Sequence, residues 1–179
     1  MIYLIGGSSH VGKTLLAQNL LEQLHYPYLS LDHLKMGLIR TKMTSLTVED
    51  DDEMRDFLWP IAAEMVKTAI ENRQNLIVEG CYIPADWRSA FPEDYLRSIR
   101  SVFLVMSEDY LRTHFDEVRG YADVIEQRLC DDPDLERLIR CSCWFREECR
   151  RFGTPCLEIS ERYDPASVTE RAKKLLEIK

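Results

Sequence analysis

The sequence predicts an α/β domain built on a parallel sheet, and three observations predict it. A short apolar run, Met1–Ile5, leads directly into a glycine-rich turn and then into a stretch with helical periodicity. Further short runs of aliphatic and β-branched residues alternate with helical segments along the rest of the chain. That alternation feeds each strand into a right-handed crossover returning to the same sheet. With 179 residues, 45% of them hydrophobic, the chain has ample material for the core of one domain spanning 1–179. No linker, internal repeat or low-complexity tract interrupts it.

The elements follow in order. Met1–Ile5 reads as a buried strand, and Leu15 to Leu24 as the helix after the glycine turn. Tyr26–Leu31 reads as a second strand ending at Asp32-His33, with a short helix and loop over 33–46. Thr47 is placed to cap the next helix, whose first turn is rich in acids that suit its positive end. Met54, Leu58, Ile61, Met65 and Ala69 recur at three- and four-residue steps as its apolar face, and Pro60 should kink or restart it. Asn75–Gly80 is a third strand with Glu79 at its carboxyl end. Short helical pieces fill 84–99, and Ser101–Met106 is a fourth strand. Residues 107–152 form a long helical excursion, interrupted at Gly120 and at Cys130 to Pro133. Pro155–Ser160 is a short fifth strand and 164–178 a closing helix.

Composition excludes several classes. A formal charge of −8 lacks the basic face of a general nucleic-acid binder. No apolar run is long enough to span a bilayer, and no charged n-region with a cleavage site opens the chain. It starts almost directly with its first strand, which points to an unprocessed cytoplasmic protein. Of six cysteines, four fall between 130 and 149. Their spacing is not the paired C-x₂₋₄-C pattern of a zinc site, and positions 141 and 143 lie on different sides of a helix, so they read as ordinary reduced thiols.

Gly7-Ser8-Ser9-His10-Val11-Gly12-Lys13-Thr14 matches G-x-x-x-x-G-K-S/T between a strand and a helix, the context that motif requires. Its glycines let successive amides curl inward onto phosphate oxygens, and the helix N-terminus adds about half a positive charge there. Lys13 is placed to reach the β- and γ-phosphates and the Thr14 hydroxyl to hold Mg²⁺. The expectation is a nucleoside triphosphate site. In parallel α/β sheets ligands sit beyond the carboxyl ends of the strands, which brings Asp32 and Glu79 to the same edge as 7–14. Either carboxylate could hold Mg²⁺ or accept a proton from an attacking hydroxyl. Asp32 could equally be a helix cap, and Glu79 a buried, paired acid. Lys35 and Arg40 could touch an acidic substrate or simply face solvent. Trp59, Tyr82 and Trp87 could line a substrate pocket or pack in the core.

The excursion over 107–152 holds eight of the chain's 16 arginines and none of its 7 lysines. Arginine is favoured where planar oxygens are gripped by two hydrogen bonds. Twelve acids share the segment, and Glu136/Arg140 and Glu147/Arg151 have the spacing of ordinary helical pairs. On a helical projection Leu138, Phe145, Cys149 and Phe152 share one face, with Arg140 opposite.

On these residues the chain resembles the small P-loop kinases related to nucleoside monophosphate kinases. Their relatives include shikimate, gluconate and 2-phosphoglycerate kinases and the chloramphenicol phosphotransferase and zeta-toxin types. Asp32-His-Leu-Lys35 resembles the segment after the second strand of adenylate-type kinases, with Lys35 where those carry an arginine for substrate phosphate. Val78-Glu79-Gly80 resembles the end of their third strand, which faces Mg²⁺ and substrate. The run from Asp131-Asp132 to Arg140 resembles the lid of UMP/CMP kinases and projects a transition-state arginine onto Arg140. The lid's earlier arginine falls on Arg128, one residue out of register. The Gly-Phe-Pro-Arg of many nucleotide kinases is replaced by Gly80-Cys-Tyr-Ile-Pro84, with Arg88 further on.

The resemblance implies a P-loop NTPase three-layer sandwich with a five-stranded parallel sheet in the order 2-3-1-4-5. A substrate-binding insertion would span about 33–72 and a helical lid about 107–152. It also implies an ATP- and Mg²⁺-dependent phosphotransferase acting on a small acceptor, with Lys13, Asp32, Glu79 and Arg140 catalytic. The triphosphate would be held by residues 7–14 and Arg128, and the metal by Thr14 and Glu79. The rival expectation is a nucleotide-binding switch with a protein partner; the sequence holds no N-K-x-D guanine-reading segment and no helical second domain.

Overall fold

The computed structural model describes residues 1–120 and 134–178. Among them, strands β1 (Ile2–Gly7), β2 (Tyr28–Ser30), β3 (Leu76–Glu79), β4 (Ile99–Met106) and β5 (Cys156–Ile159) form one parallel sheet in the order β2-β3-β1-β4-β5. Register places Ile5 beside Glu79, Ser30 beside Glu79, and Gly7 beside Leu104. Central β1 therefore ends two residues later than Met1–Ile5 suggests, running into the glycines because β4 continues alongside them.

Helices α1 (Lys13–Leu24), α2 (Leu31–Arg40), α3 (Asp51–Glu71), α4 (Glu93–Leu96), α5 (Glu108–Gly120), α6 (Leu135–Phe152) and α7 (Pro165–Leu175) cover the sheet, with a 3₁₀ turn at Trp87–Ala90. Side chains alternate faces along each strand. Ile2, Leu4, Val78, Phe103 and Val105 pack with α3 in one core cluster. Tyr3, Ile5, Ile77, Val102 and Leu104 pack with α1, α5 and α7 in the other. Helix α6 joins both, giving Phe145 and Cys149 to the first and Leu138 and Ile139 to the second. Its N-terminus is capped by Asp134, whose carboxylate accepts from the Arg137 amide at 2.6 Å, and Gly153 at φ +62° ends it.

Three local expectations are corrected and a fourth is narrowed. Strand β2 stops at Ser30, so Asp32 lies in the first turn of α2 and not at a strand end. Thr47 does not cap α3; its amide and hydroxyl both donate to the Asp50 carboxylate, at 2.7 and 2.8 Å, forming the turn before the helix. The buried face of α3 is Met54, Leu58, Ala62, Val66 and Ala69, with Met65 40% exposed. The small residues Ala62 and Ala63 turn inward with Val66 into the core cluster. Of the two outcomes expected at Pro60, a restart does not occur: α3 is one helix through it. That proline and Asp56, whose carbonyl loses its donor, both face solvent, where water can replace the missing bond.

Candidate active site

Strand β1 delivers the phosphate loop at the carboxyl edge of the sheet. Gly7 has φ +115°, and a β-carbon there would lie 2.0 Å from the Leu104 carbonyl oxygen. Gly12 has φ +84°, and a β-carbon there would lie 2.1 Å from the Tyr163 hydroxyl. Both positions demand glycine on conformation and on space. Between them, the Ser8 amide donates to Leu104 O at 3.0 Å and pins the loop to β4. Lys13, 8% exposed, folds back so that Nζ donates to the Ser8 carbonyl at 2.6 Å. Helix α1 has no side-chain cap, since its N-cap is Gly12. Among the described residues the amides of Val11, Gly12, Lys13, Thr14 and Leu15 make no hydrogen bond. A run of free donors over a helix N-terminus and a lysine is a concave anion site.

Glu79, 1% exposed, ends β3 between β1 and β2, with the next amide, Gly80, donating to Ile5 O at 3.1 Å. Asp32 forms an ion pair with Lys35 at 3.1 Å, and Lys35 Nζ donates to the Tyr82 hydroxyl at 2.6 Å. Tyr82 is buried, and burial holds its phenol protonated. Cys81 completes the cluster. Burial first, and the Asp32 charge second, push its thiol up to about 11, while Lys13 and Lys35 pull the other way. Asp32, Lys35, Cys81 and Lys13 therefore share one electrostatic neighbourhood. Arg40 does not join them: at the far end of α2 it stands about 12 Å along the axis from Asp32. Trp59 and Trp87 are core residues that pack edge-on against Phe91.

Helix α6 presents two faces to the site. Leu138, Ser142, Phe145 and Cys149 form its buried stripe, while Phe152, expected to share it, is 39% exposed at the helix end. Arg137, Cys141 and Trp144, at i, i+4 and i+7, form the face toward the loop and α3. Arg137 pairs with Asp51, the Trp144 ring lies 4.6 Å from the Arg55 guanidinium, and the Ser9 amide lies beside the Cys141 thiol. Burial raises the Cys141 thiol more than that amide lowers it. Arg140 is exposed on the side away from Ser142 and has no partner among the described residues. The expected Glu136/Arg140 and Glu147/Arg151 pairs do not form, because Glu136 reaches Arg112 of α5 at 2.8 Å and Arg151 takes Glu148. Arg128 lies outside the described residues.

Sequence reasoning missed Arg55, Arg137, Cys141 and Ser142. The i, i+4, i+7 spacing of 137, 141 and 144 was the available signal, but it points to a shared face only once α6 is known to cross the loop.

The donor set suits the ligands the loop implies. Thr14, Asp32 and Glu79 offer hard oxygen atoms of the kind Mg²⁺ prefers, and both loop glycines sit where a side chain would fill the cradle.

No protein-family model and no curated protein sequence matches the chain. Its fold, however, matches solved structures along nearly its whole length. A sugar kinase from Janibacter sp. superposes with a TM-score of 0.61 at 17% identity, covering 99% of this chain and 94% of that one. A shikimate kinase from Bacteroides thetaiotaomicron gives 0.56 at 19%, covering 99% and 98%. A gluconokinase from Sinorhizobium meliloti gives 0.54 at 16%, covering 98% and 90%. The chain thus has the P-loop α/β fold of these small kinases.

Proposed function

We propose that the chain is an ATP-dependent phosphotransferase that moves the γ-phosphoryl group to a small hydroxylated or phosphorylated acceptor in the cytoplasm. The observation that carries this reading is the loop from Gly7 to Thr14, with free amides, a returning lysine, and Asp32 and Glu79 at the same edge of the sheet. The fold shared with sugar, shikimate and gluconate kinases supports it. Lys13 and the loop amides bind and orient the triphosphate, and phosphoryl transfer depends chiefly on such positioning and on charge stabilisation. Thr14 and Glu79 would hold Mg²⁺, which offsets phosphate charge when bound. Asp32, kept in place by Lys35, orients the acceptor hydroxyl or takes its proton. Arg140 and Arg128 supply positive charge from the arm, joined by Arg137, whose helix face already looks toward the loop.

The test is ADP release measured with and without a panel of sugars, sugar acids, nucleotides and phosphorylated metabolites. Turnover that rises with one acceptor class supports the kinase. Slow hydrolysis indifferent to every acceptor assigns the chain instead to the nucleotide-binding switches with a protein partner.

A further inference from the structure

Ser142 is the one hydroxyl residue in the stripe Leu138–Ser142–Phe145–Cys149 that α6 buries against the sheet. Packing alone has no use for a hydroxyl there, since burying one without a partner costs free energy. Its partners are the Met106 amide of β4, which donates to Ser142 Oγ at 3.5 Å, and the phosphate loop. Ser142 Oγ lies 2.8 Å from Ser8 Oγ, with both residues buried, across 134 positions of sequence. The carbonyl of that same Ser8 is the acceptor for Lys13 Nζ at 2.6 Å. One residue earlier, the Cys141 thiol sits beside the Ser9 amide, which lowers its pKa. Two successive residues of α6 thus face two successive residues of the loop, and the Ser142 bond continues through Ser8 to the lysine.

We infer that Ser142 is a positioning residue that ties α6 to the phosphate loop, so that the placement of Lys13 and the placement of α6 form a single equilibrium. This rests on the reading of the loop as a nucleotide site. A buried hydroxyl pair has a narrow range of geometry, so a shift of α6 either moves Ser8 or breaks the bond. Ligand binding at the loop must then be felt by α6, and α6 by the ligand, to the same extent.

Trp144 makes this measurable. It is 40% exposed, lies on α6 two residues beyond Ser142, and stacks with Arg55, whereas Trp59 and Trp87 are 7% and 2% exposed in the core. Titrating Mg·ADP into wild type, S142A, S8A and S8A/S142A gives affinity by calorimetry and the α6 response by tryptophan emission. Melting curves without ligand show that each variant is folded at the titration temperature. The expected result is about fivefold to tenfold weaker binding in S142A, from loss of a buried hydrogen bond. The emission response should fall to under half of wild type. S8A/S142A should lose less than the sum of the two single variants, since the Ser8–Ser142 bond is common to both, while the Ser8 bond to the Ser9 carbonyl and the Met106 bond to Ser142 are each removed by one variant alone. S142C, a near-isostere with a weak donor, should recover part of both.

Wild-type affinity and emission response in S142A overturn the inference while leaving the nucleotide site intact. Additive losses in the double variant overturn it as well. An emission response that survives in W144F overturns the assignment of the signal to α6. Absence of Mg·ADP binding in the wild type is a different failure, for it overturns the nucleotide reading itself.

Discussion

Replacing Gly12 by Ala should weaken nucleotide binding through two separable effects. The first is conformational: at φ +84° an alanine costs about 1–2 kcal/mol in the left-handed region. The second is steric. The new methyl would sit 2.1 Å from the Tyr163 hydroxyl and 3.0 Å from its ring carbon, and such overpacking costs about 1–3 kcal/mol. The loop can escape both by leaving its cradle geometry, so the cost emerges as a smaller binding-competent population. At about 1.4 kcal/mol per tenfold, a total of about 2–5 kcal/mol weakens Mg·ADP binding by about 30-fold to a few thousand-fold. Removing the tyrosine ring should relieve the steric part alone. In a Y163A background the same G12A change should then cost only about 5- to 30-fold. Calorimetric titration of all four proteins decides the matter. Equal losses in both backgrounds would refute the role given to Tyr163, and wild-type affinity in G12A would refute the cradle geometry.

Three further outcomes follow from the same geometry. Lys13→Ala should lower acceptor-dependent turnover on the order of 10²-fold or more, as loss of a preorganised charge does, and full activity in that variant would refute the assignment. Phe145→Ala should destabilise the fold by about 3–5 kcal/mol in urea unfolding, because the ring is fully buried against Phe103 at 6.0 Å; a loss under about 1 kcal/mol would show that α6 does not close the core. Alkaline pH should destabilise the protein. Burial raises the Cys81 thiol from 9.0 to about 11 and the Tyr163 phenol from 10.0 to about 12. The folded state therefore keeps protons that the unfolded chain releases, and this stabilisation is complete below pH 9 and lost between pH 9 and 12. Urea midpoints measured across that range should fall, and C81S should flatten the pH 9 to 11 part; a midpoint rising with pH would contradict the burial of both groups.

Wherever a periodicity had one physical reading, the sequence carried the fold. The run Leu76-Ile77-Val78 is apolar on both faces, as a central parallel strand must be, and it ends on Glu79 at the sheet edge as expected. Where two readings competed, packing decided. In α3 the stripe containing Ile61 and Met65 is the more hydrophobic, yet the stripe containing Ala62 and Val66 is buried, because the neighbours that close the core, and not hydrophobicity alone, decide which stripe turns inward. Asp32 shows the same limit at a boundary: Ser30 to Asp32 suits a strand end or a helix start, and the choice depends on where β2 loses its partner β3.

The site divides in a similar way. Residues 7–14 were legible because loop, glycines and lysine are contiguous, and local backbone geometry alone builds the cradle. The groups that press on that cradle from outside were not, since each depends on where a distant helix crosses. Ser142 reads in sequence as a small residue of a mixed helix, Tyr163 as a loop tyrosine. Only the crossing of α6 puts the first against Ser8, and only the return from β5 puts the second against Gly12. Both contacts bear on the loop from other elements of the fold, and both restrain it. A phosphate cradle needs that restraint. Its amides converge on an anion at little cost only when the loop is already held open, and an unrestrained glycine-rich turn would have to be ordered by the ligand itself.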